Sequence, residues 1–306
     1  SFSGSLSNRN ELIRLKDTLG NPVDQVHYYD GGRWPGHADA GGSSLELRDP
    51  WADNSKAEAW AASDESSKSS WQNYTFQTTT SASSVGPDSQ WKEFILGLLD
   101  AGEVLLDDIS VIEAPSGTNT ELISTNDFEN SVGDWRIIGN HRHSEVITDP
   151  TDSSNKVLRL LASGATEHMH NHAEITLDNN QSVENNKTYR ISFRAKWIAG
   201  SRLLNTRLYF NRAPLTHILN APTNNGTPGA PNSTLIANSG PTMDHLRHSP
   251  TIPDENETVT ISLYATDPQG ISSITLHYSI AGAAWQQSSM TQNATGHYTA
   301  TIPGQP

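Results

Sequence analysis

Cysteine is absent from the 306 residues, which excludes disulfides, thiolate zinc centres and cysteine nucleophiles together. Basic residues are scarce: 20 Lys and Arg stand against 34 Asp and Glu, for a formal net charge of −14. Nucleic acids and anionic membranes are bound through clustered Lys and Arg that displace counterions. No such cluster occurs, so no nucleic-acid partner is expected. No apolar run approaches the roughly 18 residues of a membrane helix, so no membrane insertion is expected either. The chain opens at Ser1 without a basic, apolar, small-residue leader, so any signal peptide is expected to be missing from it. Catalytic signatures are lacking too: there is no Gly-x-Ser-x-Gly, no phosphate-binding glycine loop and no His-Glu-x-x-His.

What is present is an acidic chain rich in Ser, Thr and Asn, with short alternating apolar patterns and frequent turn residues. That predicts an all-β, multidomain chain of β-sandwiches, since the length exceeds what one ordinary sandwich needs. Residues 1–69 carry short strands and turns, among them Leu12-Ile13-Arg14-Leu15, the Leu19-Gly20-Asn21-Pro22 turn and Val23 to Tyr28. With Leu6-Ser7-Asn8, Asp17, Trp34-Pro35, Ser44-Leu45-Glu46-Leu47, Asp53-Asn54 and Trp60, this stretch resembles the lamin-tail family. That resemblance implies an immunoglobulin-like sandwich, here incomplete because the family's opening strands have no counterpart before Ser1.

Residues 70–220 read as a second sandwich. Trp91 to Leu99 is apolar on both faces, as a central strand would be. Leu105-Leu106-Asp107-Asp108-Ile109 closes on a carboxylate pair, and Asn126-Asp127-Phe128-Glu129 opens a new strand, with Gly133 and Trp135 just beyond. These two signatures resemble jelly-roll carbohydrate-binding modules of the galactose-binding type, in which they lie side by side. Their order is reversed here. Either the tail of one module precedes the head of another, or the two pieces form one circularly permuted jelly roll. The resemblance implies a structural calcium ion at the junction, carried over to Glu129 and Asp108 with Asp107 and Asp127 beside them. Strand-end acids are also ordinary solvated residues.

Residues 221–249, dense in Pro, Gly and Asn, read as a linker. Residues 250–306 show two alternating runs, Val259 to Ala265 and Ile274 to Ile280, around an Asp267-Pro268-Gln269-Gly270 turn. They resemble the fibronectin-type-III and bacterial immunoglobulin-like spacers of secreted enzymes, again incomplete. The arrangement predicts a fragment of a large secreted bacterial protein, extracellular or at the cell surface, whose other domains are its partners together with a glycan or matrix surface.

The polar faces of three runs are the candidate ligand site. A period of two sets His168, His170, His172 and Glu174 against Met169, Ala173 and Ile175. It sets Arg190, Ser192, Arg194 and Lys196 against Tyr189, Ile191, Phe193, Ala195 and Trp197. It also sets Asn205, Arg207, Tyr209 and Asn211 against Thr206, Leu208 and Phe210. If the three strands share a sheet, Arg194, Lys196, Arg207, Tyr209, Asn211 and the histidines form one surface suited to a polyhydroxylated or anionic ligand. A solvated sheet face looks the same. Trp135 and Trp91 are candidate sugar platforms, although Trp in a small sandwich is more often core. Histidines two apart on a strand sit about 6.7 Å from each other and can share a metal, with His141, His143 or Glu174 as a further donor. That leaves a metal-dependent enzyme as an alternative, with Glu167 and Glu174 a weak glycosidase pair. A surface filament completed by strand donation is the other.

Overall fold

The computed structural model describes residues 5–39, 41–81, 91–209 and 211–306. It is all-β; among the described residues the only helical segments are short 3-10 turns. In chain order the strands are β1 (Asn10–Lys16), β2 (Pro22–Tyr29), β3 (Leu45–Leu47), β4 (Trp60–Ala62), β5 (Gln72–Thr79), β6 (Glu93–Leu98), β7 (Gly102–Glu113) and β8 (Thr120–Glu121). There follow β9 (Arg136–Ile138), β10 (Glu145–Asp149), β11 (Asp152–Ala162), β12 (His172–Thr176), β13 (Thr188–Gly200), β14 (Leu203–Leu208) and β15 (Arg212–Ile218). The last are β16 (Thr242–Ser249), β17 (Val259–Thr266), β18 (Thr275–Tyr278), β19 (Gln286–Ser289), β20 (Thr291–Ala294) and β21 (His297–Ile302). The chain divides into two compact units, one of Ser1–Trp34, Glu46–Ala61 and Thr234–Pro306, the other of Pro35–Leu45 and Ala62–Ser233.

The unit of Pro35–Leu45 and Ala62–Ser233 is a sandwich of two antiparallel sheets. One runs in the order β10-β11-β7-β13-β5, with β8 on β7, and the other β15-β14-β6-β12-β9. Strands from before and after the Asn126-Asp127-Phe128-Glu129 segment lie side by side in both sheets, so the two pieces build one core. Alternation explains how. On β13, Tyr189, Ile191, Phe193, Ala195 and Trp197 are buried and meet Phe94, Leu96 and Leu98 of β6 and Leu204 and Leu208 of β14. Each such side chain contributes about 1.5–3 kcal/mol on burial. Strand β6 is central in its sheet, so it is apolar on both sides, and Ile95 is fully buried although it lies outside that core cluster.

The Pro/Gly/Asn stretch read as a linker is not free chain over its first half. The buried carboxylate of Glu65 accepts a hydrogen bond from Gly226 N (2.7 Å) and another from the Ser63 hydroxyl. Lys68 Nζ donates to Glu65 (2.8 Å) and to the carbonyls of Asn224 (3.0 Å) and Gly226 (2.5 Å). A buried acid with three partners fixes backbone that has no apolar side chains of its own to bury. The later half also departs from a linker, because residues 242–249 form β16 and pair with β17.

In the other unit, β16-β17-β21-β20 form a four-stranded sheet and β18 pairs with β19. Ile261, Leu263 and Ala265 alternate inward from β17 and pack with Tyr298, Ala300, Ile274 and Met290. Strands β1 and β2 form a two-stranded hairpin. Its turn is held by Asp17, whose Oδ1 accepts from Leu19 N (2.8 Å) and Asn21 N (2.9 Å), with Gly20 at φ +88° as the turn requires. Every residue of β1 is exposed.

Candidate functional site

The three runs of the expected surface do not share a sheet. Strand β12 and strand β14 both flank β6 in the five-stranded sheet, whereas β13 lies in the six-stranded one. The chain crosses from one layer to the other between β12 and β13 and back again before β14. Arg194 and Lys196 therefore belong to the opposite layer and drop out of the expected surface. Lys196 is moreover buried, at 3% exposure.

The outer face of the five-stranded sheet is assembled by register. Arg207 on β14 and Glu174 on β12 are both paired with Ile95 of β6. Glu174 is in turn opposite Arg136 of β9, and Asn205 opposite Gly97. Ile95 is thus the apolar floor, covered by charged neighbours. Glu174 has both oxygens engaged: Oε1 by Arg136 Nε at 2.8 Å and Oε2 by His172 Nε2 at 3.1 Å. Arg136 also donates to Thr176 Oγ1 at 3.0 Å. Burial alone would raise the Glu174 carboxyl, but the hydrogen bonds of Arg136 and His172 hold it below its ordinary range. Burial lowers the His172 pKa against the pull of Glu174, so the ring is neutral at neutral pH and its Nε2–H donates to the carboxylate.

Arg207 Nη1 donates to Asn205 Oδ1 at 3.0 Å. At the same end of the face, Tyr209 and Trp91 pack their rings 4.6 Å apart at 58°, with Tyr209 N bonded to Glu93 O at 2.9 Å. The face thus offers flat aromatic edges beside forked donors and acceptors. Period-two reading reached Arg207, Tyr209, His172 and Glu174. It missed Arg136, although the alternation of Trp135 and Ile137 inward with Arg136 outward was there to be seen.

Several expected site residues fall elsewhere. His168 and His170 are not on the strand, which begins at His172; they sit in a turn closed by Asn171 N to His168 O at 3.0 Å. Their rings are 5.1 Å apart by centroid, and His170 is 6.4 Å from His172. The backbone at Gly139 (φ +63°) packs tightly on this turn: a Cβ there would lie 2.1 Å from Asn171 Oδ1, which accepts from Asn140 N at 3.1 Å. His141 is wholly buried, its Nε2 accepting from Leu98 N at 3.0 Å, and His143 is exposed. Asn211 occupies a turn at φ +56° between β14 and β15, and Phe210 lies outside the described residues. Trp135 is core: 5% exposed, against Phe94 and Phe128, with Nε1 donating to Thr125 O at 2.9 Å.

The acidic junction is assembled, but around a different cation. Ile109 N bonds Asn126 O at 3.0 Å, so the two signatures lie side by side. A bulge in β7 lets two residues of β13 span three of β7, between Ser192 opposite Ser110 and Arg194 opposite Asp107, with Asp108 at φ +50°. Consecutive Asp107 and Asp108 thereby both face Arg194. Arg194 Nη2 is 2.5 Å from Asp107 Oδ2, its Nε is 2.7 Å from Asp108 Oδ2, and its guanidinium lies over the Trp71 ring at 5.0 Å. Asp107 also accepts from Asn155 Nδ2 (3.0 Å) and Asp108 N (2.8 Å), Glu129 Oε1 from Lys156 N (3.0 Å), and Asp127 Oδ1 from Glu129 N (3.3 Å). A calcium ion takes six to eight oxygens. Here Glu129, Asp108, Asp107 and Asp127 are engaged by protein donors, and a guanidinium stands between the aspartates. The arrangement does not fit the expected calcium cage. Among the described residues no three His, Asp or Glu are placed to hold a metal ion.

That removes the geometric support for a metal-dependent centre on the histidine run. Nor is Glu174 suited to general-acid work, since its partners stabilise the ionised form. Residues 120–214, which include β9, β12, β13 and β14, are similar to the carbohydrate binding domain family, a non-catalytic family. Neither a curated protein nor a solved structure matches the chain.

Proposed function

We propose that the sandwich of residues 62–233 holds a glycan on the outer face of its five-stranded sheet and performs no chemistry on it. The observation that carries this is a coincidence of two findings. The carbohydrate binding domain match covers β9, β12 and β14, and those strands bring Arg136, Glu174, Asn205 and Arg207 to one face beside the Trp91–Tyr209 pair, with the buried His172 beneath holding Glu174. Sugars present apolar ring faces and dense hydroxyls, so an aromatic edge next to fixed bidentate groups matches them on both counts. The remaining unit, with its lamin-tail-like and immunoglobulin-like stretches, would act as a spacer within a secreted or surface-displayed multidomain protein.

The test is retention of the full chain on a panel of immobilised plant, algal and bacterial polysaccharides. Tyr209→Ala and Trp91→Ala each remove a ring worth about 1 kcal/mol, or roughly fivefold in affinity, while Arg190→Ala on the opposite sheet changes nothing. Equal losses from Arg190→Ala, or none from the two aromatic variants, would place the glycan elsewhere.

A further inference from the structure

The charges on this face do not balance. Glu174 is used twice, by Arg136 and by His172, and Arg136 is satisfied in return. Arg207 differs: the one hydrogen bond from its guanidinium goes to a neutral acceptor, Asn205 Oδ1, and among the described residues it makes no ion pair within 4.0 Å. It is nevertheless half-buried, paired across the ladder with Ile95, and burial lowers its pKa. Arg159 and Arg194 have carboxylates, Glu103 at 2.7 Å and Asp107 at 2.5 Å. Arg190, half-buried on the opposite sheet, has only the neutral Asn119 Oδ1 at 3.5 Å, but among the described residues no aromatic pair is placed beside it as Trp91 and Tyr209 are beside Arg207.

A cation taken partly out of water is costly unless a counter-charge meets it. The charge of Glu174 reaches Arg207 through space and offsets only part of that cost, because both carboxylate oxygens are spent on Arg136 and His172 and, among the described residues, no carboxylate is hydrogen-bonded to the Arg207 guanidinium. The guanidinium's remaining donors form a planar fork that fits a carboxylate with two parallel hydrogen bonds, a geometry hydroxyls match less well. The Trp91–Tyr209 pair stands near it: Tyr209 follows just past the end of β14, and its phenol is close enough to act electrostatically on the Arg207 guanidinium. An acidic sugar could set its ring on the aromatic edge and its carboxylate on Arg207 together.

We propose that the face is specific for glycans bearing carboxylates, that is, uronic-acid-containing polysaccharides, with Arg207 as the residue that reads the acid. This rests on the glycan reading above. The formal charge of −14 works in its favour as a control, because a chain so acidic repels polyanions in general. Any acidic polymer it retains must be held by a local site.

The experiment compares the full chain on polygalacturonate with the same polymer after its carboxylates have been reduced to primary alcohols, alongside the neutral panel. Binding to polygalacturonate should exceed binding to the reduced polymer by about 10-fold or more, the worth of one charge-assisted bidentate contact. Arg207→Met keeps an aliphatic side chain opposite Ile95 and should bring the acidic polymer down to the level of the reduced one. Equal binding of the two polymers by the wild type overturns the proposal and needs no variant. So does undiminished polygalacturonate binding by a folded Arg207→Met. In either case a neutral polysaccharide that is still retained leaves the glycan reading standing, whereas failure to retain any polymer removes both.

Discussion

His141 makes the sandwich sensitive to acid in a way that can be calculated. The side chain is wholly buried, and its Nε2 takes the N–H of Leu98, an amide in the central strand β6, at 3.0 Å. The ring lies over Gly97, close enough that a Cβ there would sit 3.3 Å from it. Burial, followed by the charge of His172, pushes the His141 pKa down from 6.5 to about 4. A histidine with a depressed folded pKa is neutral in the native state and takes up its proton only on unfolding. Its contribution is therefore complete above pH 6.5, is lost as pH falls from 6.5 toward 4, and changes no further below that. At about 1.4 kcal/mol per pH unit the loss amounts to about 3 kcal/mol, a large part of the 5–15 kcal/mol typical of a domain. His141→Gln keeps an acceptor for the Leu98 amide but cannot titrate. It should cost about 1–2 kcal/mol at pH 7 from imperfect packing and then lose about 3 kcal/mol less than the wild type on going to pH 4. The two stability curves would cross between those pH values. Urea unfolding followed by tryptophan fluorescence at half-unit pH steps measures this. Carboxylates titrating in the same range, and His217, whose pKa burial also lowers, are common to both proteins and cancel; His172, coupled to His141 through its charge, is relieved in the variant and shifts the difference in the same direction. Parallel curves would refute the reasoning, because they would mean that the imidazole is protonated or hydrated in the folded state.

Two further outcomes follow from the charged groups. Calcium or a chelator should leave the wild-type melting temperature unchanged, while Arg194→Met, which strands the buried Asp107, should cost about 3–5 kcal/mol and gain a stabilising response to calcium in calorimetry; a wild-type rise of several degrees with calcium would contradict the guanidinium's role. Glu65→Ala removes the acceptor that ties down Gly226 and should cost about 3 kcal/mol and expose residues 224–232 to rapid limited proteolysis, with no change in cleavage counting against the claim that this acid orders the stretch.

Much of the sandwich was legible because burial on a sheet has a period of two. The alternation from Tyr189 to Trp197 marked its inward face correctly, and the doubly apolar run at Trp91 to Leu99 marked a central strand. Other parts were hidden because they depend on single polar atoms. Nothing in a Pro/Gly/Asn-rich composition shows that Glu65, about 160 residues away in the chain, will anchor it. Nothing in His168-Met169-His170 shows that Gly139 and Asn140 of a distant segment will pack on and hydrogen-bond Asn171 at the end of the run. A repeat of alternating histidines reads as strand by pattern, but the strand begins only at His172 and the residues before it close a turn.

The candidate site shows the same limit at the level of topology. Alternation says which residues of one strand share a face; it does not say which strands share a sheet. Three consecutive polar faces were read as one surface, yet in a sandwich successive strands often belong to opposite layers, and here β13 does. The consequence is chemical as well as geometric. Arg194, displaced to the other layer, meets Asp107 and Asp108 where the resemblance implied a metal ion, so the same residue that left the ligand surface also took over the calcium position. Arg207 stayed with β14, two strands from Glu174 across Ile95, and there it has no acid of its own. The two arginines are alike in sequence context, each alternating with inward-facing neighbours, Phe193 and Ala195 for one and Thr206 and Leu208 for the other. What separates them is which layer their strand joined, and that alone left one spent on the fold and the other facing outward.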